Sequence, residues 1–168
     1  MTTLARLILA GGLAAAAGPA AASEAEFLQS LDGSWNGTGS VKVRTNSSPI
    51  KVNCTFQSDA TDTALSLDGN CRGLLIVSRA IGADLRADGA RYAGSYVGAG
   101  TGTAGLNGSR SGNAINLDVR WAKEVNGDRL ARLTVQKIGD DGMRLTTVDV
   151  DPDTGKNVVT SEINLRRS

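Results

Sequence analysis

The sequence lacks histidine entirely and has only two cysteines, Cys54 and Cys71, so it offers little for nucleophilic catalysis. A serine or cysteine nucleophile needs a neighbouring base, usually an imidazole, to take its proton. Carboxylate pairs could still act as general acid and base. Glu124 and Glu162, however, stand singly near strand ends with nothing to bring them together. No catalytic residue is assigned and no enzyme is expected. Asp149, Asp151 and Asp153 alternate like the opening of a calcium loop. Such a loop requires glycine at its sixth position and glutamate at its twelfth, where this chain has Thr154 and Thr160. Asp-Pro-Asp-Thr-Gly reads more simply as a hairpin turn, and no metal is expected. Gly100 to Gly105 matches G-x-G-x-x-G, but a dinucleotide site needs that turn between a parallel strand and a helix. No helical pattern follows it, so the glycines are read as a bend in a strand or hairpin.

The two cysteines locate the central hairpin. Reversing the chain between Asp62 and Thr63 places Cys54 opposite Cys71, Phe56 opposite Gly69, Ser58 opposite Leu67 and Ala60 opposite Leu65. Strand side chains alternate between faces. Val52, Cys54 and Phe56 therefore share a side with Leu65, Leu67 and Cys71, while Lys51, Asn53, Thr55, Gln57, Ser66, Asp68 and Asn70 fall on the other. A Cys54–Cys71 disulfide is expected, which calls for an oxidising compartment.

The N-terminus agrees with that compartment. Arg6, the apolar run from Leu7 to Ala17 and the small residues Ala20-Ala21-Ala22 have the layout of a secretory signal peptide. The run is shorter than the roughly 18 residues a spanning helix needs, and Gly and Pro19 interrupt the apolar stretch. Residues 1–22 are expected to be removed, leaving one domain over 23–168 with no transmembrane segment, periplasmic or secreted. Losing Arg6 from the 18 basic residues leaves 17, equal to the 17 acidic ones, so no broad field is expected to attract nucleic acid or an anionic membrane.

The rest of the chain must position these residues, and its pattern is almost entirely that of strands. A short helix is expected from Glu24 to Leu31 with Ser23 as N-cap, ended by Asp32-Gly33. Turns are expected at Asn46 to Pro49, Asp88-Gly89, Asn107-Gly108, Asn126-Gly127, Gly139 to Gly142 and Asp151 to Gly155. Between them the apolar residues alternate, most cleanly at Ile115, Leu117, Val119 and Trp121. Within Leu74 to Leu85, Arg79 falls on the apolar side and marks either a functional interior charge or a bulge. About ten strands linked by consecutive hairpins imply an all-β fold, a single antiparallel up-and-down barrel, since closure removes exposed edges.

Gly33-Ser34-Trp35 opens the first strand after the helix, and Arg166-Arg167 ends the last. That layout resembles the calycin superfamily, including lipocalins and nitrobindin-like barrels. In those proteins a G-x-W tryptophan packs at the closed end of the barrel under a basic side chain from near the final strand. The resemblance implies that Arg167, in phase with Ile163 and Leu165, caps Trp35 through a cation–π contact. Nitrobindin-like proteins hold haem through a histidine, so the absence of histidine excludes that cofactor here, and no other is expected. The stretch from Phe27 to Arg167 is also similar to small exported proteins of alphaproteobacteria, which supports export and supplies no activity. One tryptophan followed by a disulfide hairpin is likewise similar to small secreted barrels that inhibit metalloproteases, although those are shorter.

Twenty-one glycines against two each of Phe, Tyr and Trp leave a barrel with few bulky aromatic fillers. Such a barrel either keeps a cavity or flattens. The expected function is non-enzymatic binding of a small amphipathic or hydrophobic ligand. Trp35, Phe56, Tyr92, Tyr96 and Trp121 are the cavity candidates, with Arg79 supplying charge for an anionic head group. The alternative is that these aromatics are simply core, and that the protein is an envelope interaction module or protease-inhibitor-like protein acting through its surface on a protein partner.

Overall fold

Apolar residues at every second position force each strand to hide one face, and ten such strands achieve it by closing into a ring. The computed structural model describes residues 19–73, 77–98 and 100–168. Helix α1 (Pro19–Ser30) is followed by β1 (Gly33–Val41), β2 (Ile50–Ala60), β3 (Ala64–Gly73), β4 (Val77–Asp88) and β5 (Arg91–Val97). The second half comprises β6 (Ala104–Ser111), β7 (Ala114–Val125), β8 (Asp128–Ile138), β9 (Gly142–Val150) and β10 (Asn157–Arg167). Every strand pairs antiparallel with its sequence neighbours, and β1 also pairs with β10, so the sheet is a closed up-and-down barrel. The expected signal peptide lies outside the described residues except for 19–22, which begin α1. Leu74 and Leu75, expected to open the fourth strand, also lie outside them.

The cysteine hairpin has the register read from the sequence, with Cys54 opposite Cys71, Phe56 opposite Gly69 and Ala60 opposite Leu65. The two sulfurs are bonded. Asn126 and Gly127 both have positive φ, 53° and 94°, as a two-residue type I′ turn requires.

Three local expectations are corrected. Helix α1 starts at Pro19, so Ser23 lies within it and is not its N-cap; proline suits a first helical position because its missing N–H has no partner there anyway. The β4–β5 turn is Gly89-Ala90, not Asp88-Gly89: Asp88 pairs with Arg91, and only Gly89, at the first central position, has positive φ. Asn107-Gly108 is not a turn but lies inside β6, and the chain reverses at Gly112-Asn113 instead. Gly108 is there because a Cβ would collide with the backbone carbonyl of Asn116 on β7, so glycine permits this close approach of the two strands.

The core runs through all ten strands. Its fully buried members include Leu65, Leu85, Leu106, Ile115, Leu117, Val135 and Met143. These aliphatic side chains, and not aromatics, fill most of the lumen. Helix α1 covers one end of the ring, burying Leu28 and Leu31 completely.

Replacing both cysteines by alanine is expected to lower the unfolding free energy by about 3 kcal/mol in denaturant titrations, because the unfolded chain regains the freedom of the loop they close. Gly108→Ala is expected to cost about 2 kcal/mol through overpacking, whereas Gly105→Ala, which meets nothing within 4 Å, should be near neutral.

Candidate functional site

Antiparallel hairpins send alternate connections to opposite ends of the barrel, and the two ends differ in chemistry. At the helix-capped end the buried polar groups are used for sealing. Trp35, 1% exposed, donates its indole N–H to Ser58 Oγ at 2.8 Å and to the Leu31 carbonyl at 3.2 Å. The Arg167 guanidinium lies 4.4 Å from the Trp35 ring centroid and donates to the carbonyls of Asp32 and Ser30. Lys137 sits 6.0 Å from the same ring and donates to the carbonyls of Gly139 and Asp140. Burial, helped by the positive charge of Arg167, lowers the Lys137 pKa. Glu24 is buried on α1, accepts from the Tyr92 hydroxyl and pairs with Arg110 Nε at 2.8 Å. Burial and the Glu24 contact raise the Tyr92 pKa. The helix is thus pinned by a buried carboxylate as well as by leucines.

The six cavity candidates all face inward, but they do not gather in one place. Trp35 and Tyr92 belong to the sealed end. Phe56 lies directly over Gly69, whose missing side chain makes room for the ring. Only Arg79, Tyr96 and Trp121 converge at the open end. Tyr96 and Trp121 pack edge to face with centroids 5.8 Å apart. Arg79 pairs in regular register with Cys71, so it marks no bulge; its side chain is exposed at the mouth and reaches Gly100.

The glycine motif completes this mouth. Gly100 and Gly102 have φ of 75° and 100° in the β5–β6 connection, which lies between the Arg79 guanidinium and Ala122. Its glycines allow close approach of side chains and form no phosphate-binding helix start. Two inward groups at the same end escaped the sequence reading. Arg129 is in phase with the inward Ala131 and Leu133, and its Nε donates to the Trp121 carbonyl at 2.8 Å. Asp149 is in phase with Met143 and Leu145, and its buried carboxylate accepts from Thr160, the residue inserted where β10 bulges against β9. The Asp149–Asp151–Asp153 series does not converge: Asp151 accepts from the backbone and hydroxyl of Thr154 within the β9–β10 turn. No group of three metal-capable side chains occurs among the described residues.

Polar bookkeeping singles out this end. Among the described residues, the buried side-chain polar atoms left without a partner are Thr101 Oγ1, Trp121 Nε1 and Asp149 Oδ1, all at the open end. Buried polar atoms are nearly always satisfied, so a cluster of orphans calls for an explanation. Burial raises the Asp149 pKa, and the Thr160 hydrogen bond, together with the nearby Asn126 and Trp121 side chains that face the carboxylate without closing a hydrogen bond, only partly offsets it. Asp151, by contrast, is held below the usual carboxylate range by its Thr154 and Thr45 hydrogen bonds. The one ion pair among the described residues is Glu24–Arg110, so neither Arg79 nor Arg129 is neutralised by a carboxylate. Two recesses of about 510 and 500 Å³ lie on the outer wall, lined mainly by outward-facing residues such as Ser66, Asp84 and Ser95 in one and Asn36, Thr55 and Asn70 in the other. None of the orphaned atoms lines either one.

No family model matches the chain, and no curated protein matches it in sequence. In structure it is similar to Rv2717c from M. tuberculosis, with a TM-score of 0.64 and 15% identity over 90% of this chain and 98% of that one. It is also similar to the S-type phycobiliprotein lyase CPES from Guillardia theta, with a TM-score of 0.54 and 12% identity over 85% of this chain and 91% of the other. The likeness is one of fold alone, and the closed ten-stranded antiparallel barrel fits the fold expected of a calycin-like chain.

Because burial raises the native pKa of Asp149 above its unfolded value of about 3.9, that carboxylate costs stability increasingly as pH rises from about 4 through the native value. Asp149→Asn is therefore expected to raise the melting temperature at neutral pH, with the gain vanishing in acid. Asp151→Asn should do the reverse, removing stability at neutral pH and changing little once both forms are uncharged. Thermal melts across pH check both.

Proposed function

We propose that the protein is an exported barrel that binds a small amphipathic ligand with an anionic head at its open end and catalyses nothing. The observation that carries this reading is the cluster of orphaned polar atoms around Trp121, in a site otherwise lined by an aromatic pair and two unpaired guanidiniums. A ligand whose head accepts from Trp121 Nε1 and Thr101 Oγ1, and whose flat or apolar portion lies against Tyr96, would satisfy what the protein leaves open. Arg79 and Arg129, both inward in phase on their strands, supply the opposing charge. A hydroxyl on the same head could donate to Asp149 Oδ1.

Export is supported by the disulfide and by the signal-peptide layout; among the described residues no helix is long and apolar enough to cross a membrane. Cleavage after Ala22 would trim the first turn of α1 and keep Glu24, whose carboxylate docks the helix.

Titration with anilinonaphthalene sulfonate, an anionic aromatic probe, is expected to show one saturable site and to change the emission of Trp121. Arg79→Ala and Arg129→Ala should each weaken binding about tenfold, the loss of a charge-assisted contact. Binding that fails to saturate, or that ignores both substitutions, would count against the reading.

A further inference from the structure

The open end is distinguished by its outer surface as well as by its mouth. Among the described residues the exposed large hydrophobics are Val43, Val97, Leu130, Ile138, Val150 and Val159, and all but Ile138 lie at the open end. Three of them share one outer patch. Val159 on β10 pairs with Val148 on β9, Val148 and Val150 point the same way, and Leu130 on β8 is two residues from Arg132, the partner of Val148. An apolar patch on the outside of a monomeric barrel is a recognised mark of an interaction surface.

Charge identifies what the patch meets. Dividing every strand at its midpoint places ten lysines and arginines against five carboxylates in the open half, and seven against eleven in the helix-capped half. Glu162 lies on the dividing line. Two of the five, Asp149 and Asp151, are buried, so the open surface shows three carboxylates. A chain almost neutral in total is therefore polarised along its barrel axis. Apolar side chains within a basic fringe are the combination that adsorbs to anionic lipid, where burial of valine and leucine adds to attraction by the negative surface.

We infer that the protein docks on an anionic lipid surface through the open end of its barrel, with Leu130, Val150 and Val159 entering the interface and basic residues such as Arg44 and Arg132 meeting the head groups. This deepens the ligand reading by giving the amphipathic ligand a source directly at the mouth. It rests on different residues, so vesicle binding and dye binding can fail separately.

The test is co-sedimentation of the mature chain, residues 23–168, with vesicles of phosphatidylcholine alone or of equal parts phosphatidylcholine and phosphatidylglycerol. The protein is expected to sediment with the anionic vesicles and to be released by salt. The double substitution Leu130→Asp/Val159→Asp should reduce binding more than tenfold, Arg44→Gln about fivefold, and Ile138→Asp at the opposite end not at all. Brominated acyl chains should quench Trp121 in a Trp35→Phe protein, reporting which end meets the lipid. Equal binding to neutral vesicles, equal loss from Ile138→Asp, or absence of Trp121 quenching would overturn the inference. So would a dimer that the double substitution dissolves in a protein that does not sediment, since the patch would then belong to a second copy.

Discussion

Closure of the hydrogen-bonded ring is the constraint on which everything else in this protein depends. Once β10 pairs with β1, no strand edge remains and each side chain has two options, lumen or solvent. That choice recurs every second residue, so a single register error would expose a whole row of leucines. The disulfide, the close strand approach at Gly108 and the bulge at Thr160 are all ways of keeping ten strands in one register around a closed circumference.

A ring has two ends, and this one treats them oppositely. At one end Leu28 of α1 and Leu31 just after it fill the opening, and the Trp35 indole N–H, Arg167, Lys137 and Glu24 all find partners. At the other end three buried polar atoms are left over and two guanidiniums have no carboxylate. Unmet polarity is unfavourable in a buried setting, so its concentration at one end separates the proposed binding region from the scaffold better than the recesses on the outer wall. The surface follows the same division, with basic and apolar residues at the open end and carboxylates near the helix.

Trp35 and Trp121 show how far residue type alone can lead. Both are inward, buried indoles, and parity treats them alike. Trp35 donates to Ser58 and Leu31 and is structural; Trp121 Nε1 has no partner. The difference arises from what lies above each ring, a helix in one case and an opening in the other. Likewise the glycine motif at Gly100 to Gly105 has no role as a phosphate loop, yet it shapes the mouth by letting Arg79 rest against the backbone.

The sequence by itself determined the strand count, the up-and-down order and the pairing of Cys54 with Cys71, because period-two alternation and turn residues act over a few neighbouring positions. It also put Arg79, Tyr96 and Trp121 on the inner face. It misplaced the turn near Asp88 and read Asn107-Gly108 as another, since a glycine that permits positive φ and a glycine that permits close backbone approach look the same in one dimension. Only the tertiary structure decided which aromatics share an end, that Arg129, Asp149 and Thr101 join them, and that charge separates along the axis. Those relations join residues from strands far apart in the chain, and they depend on which end the helix seals.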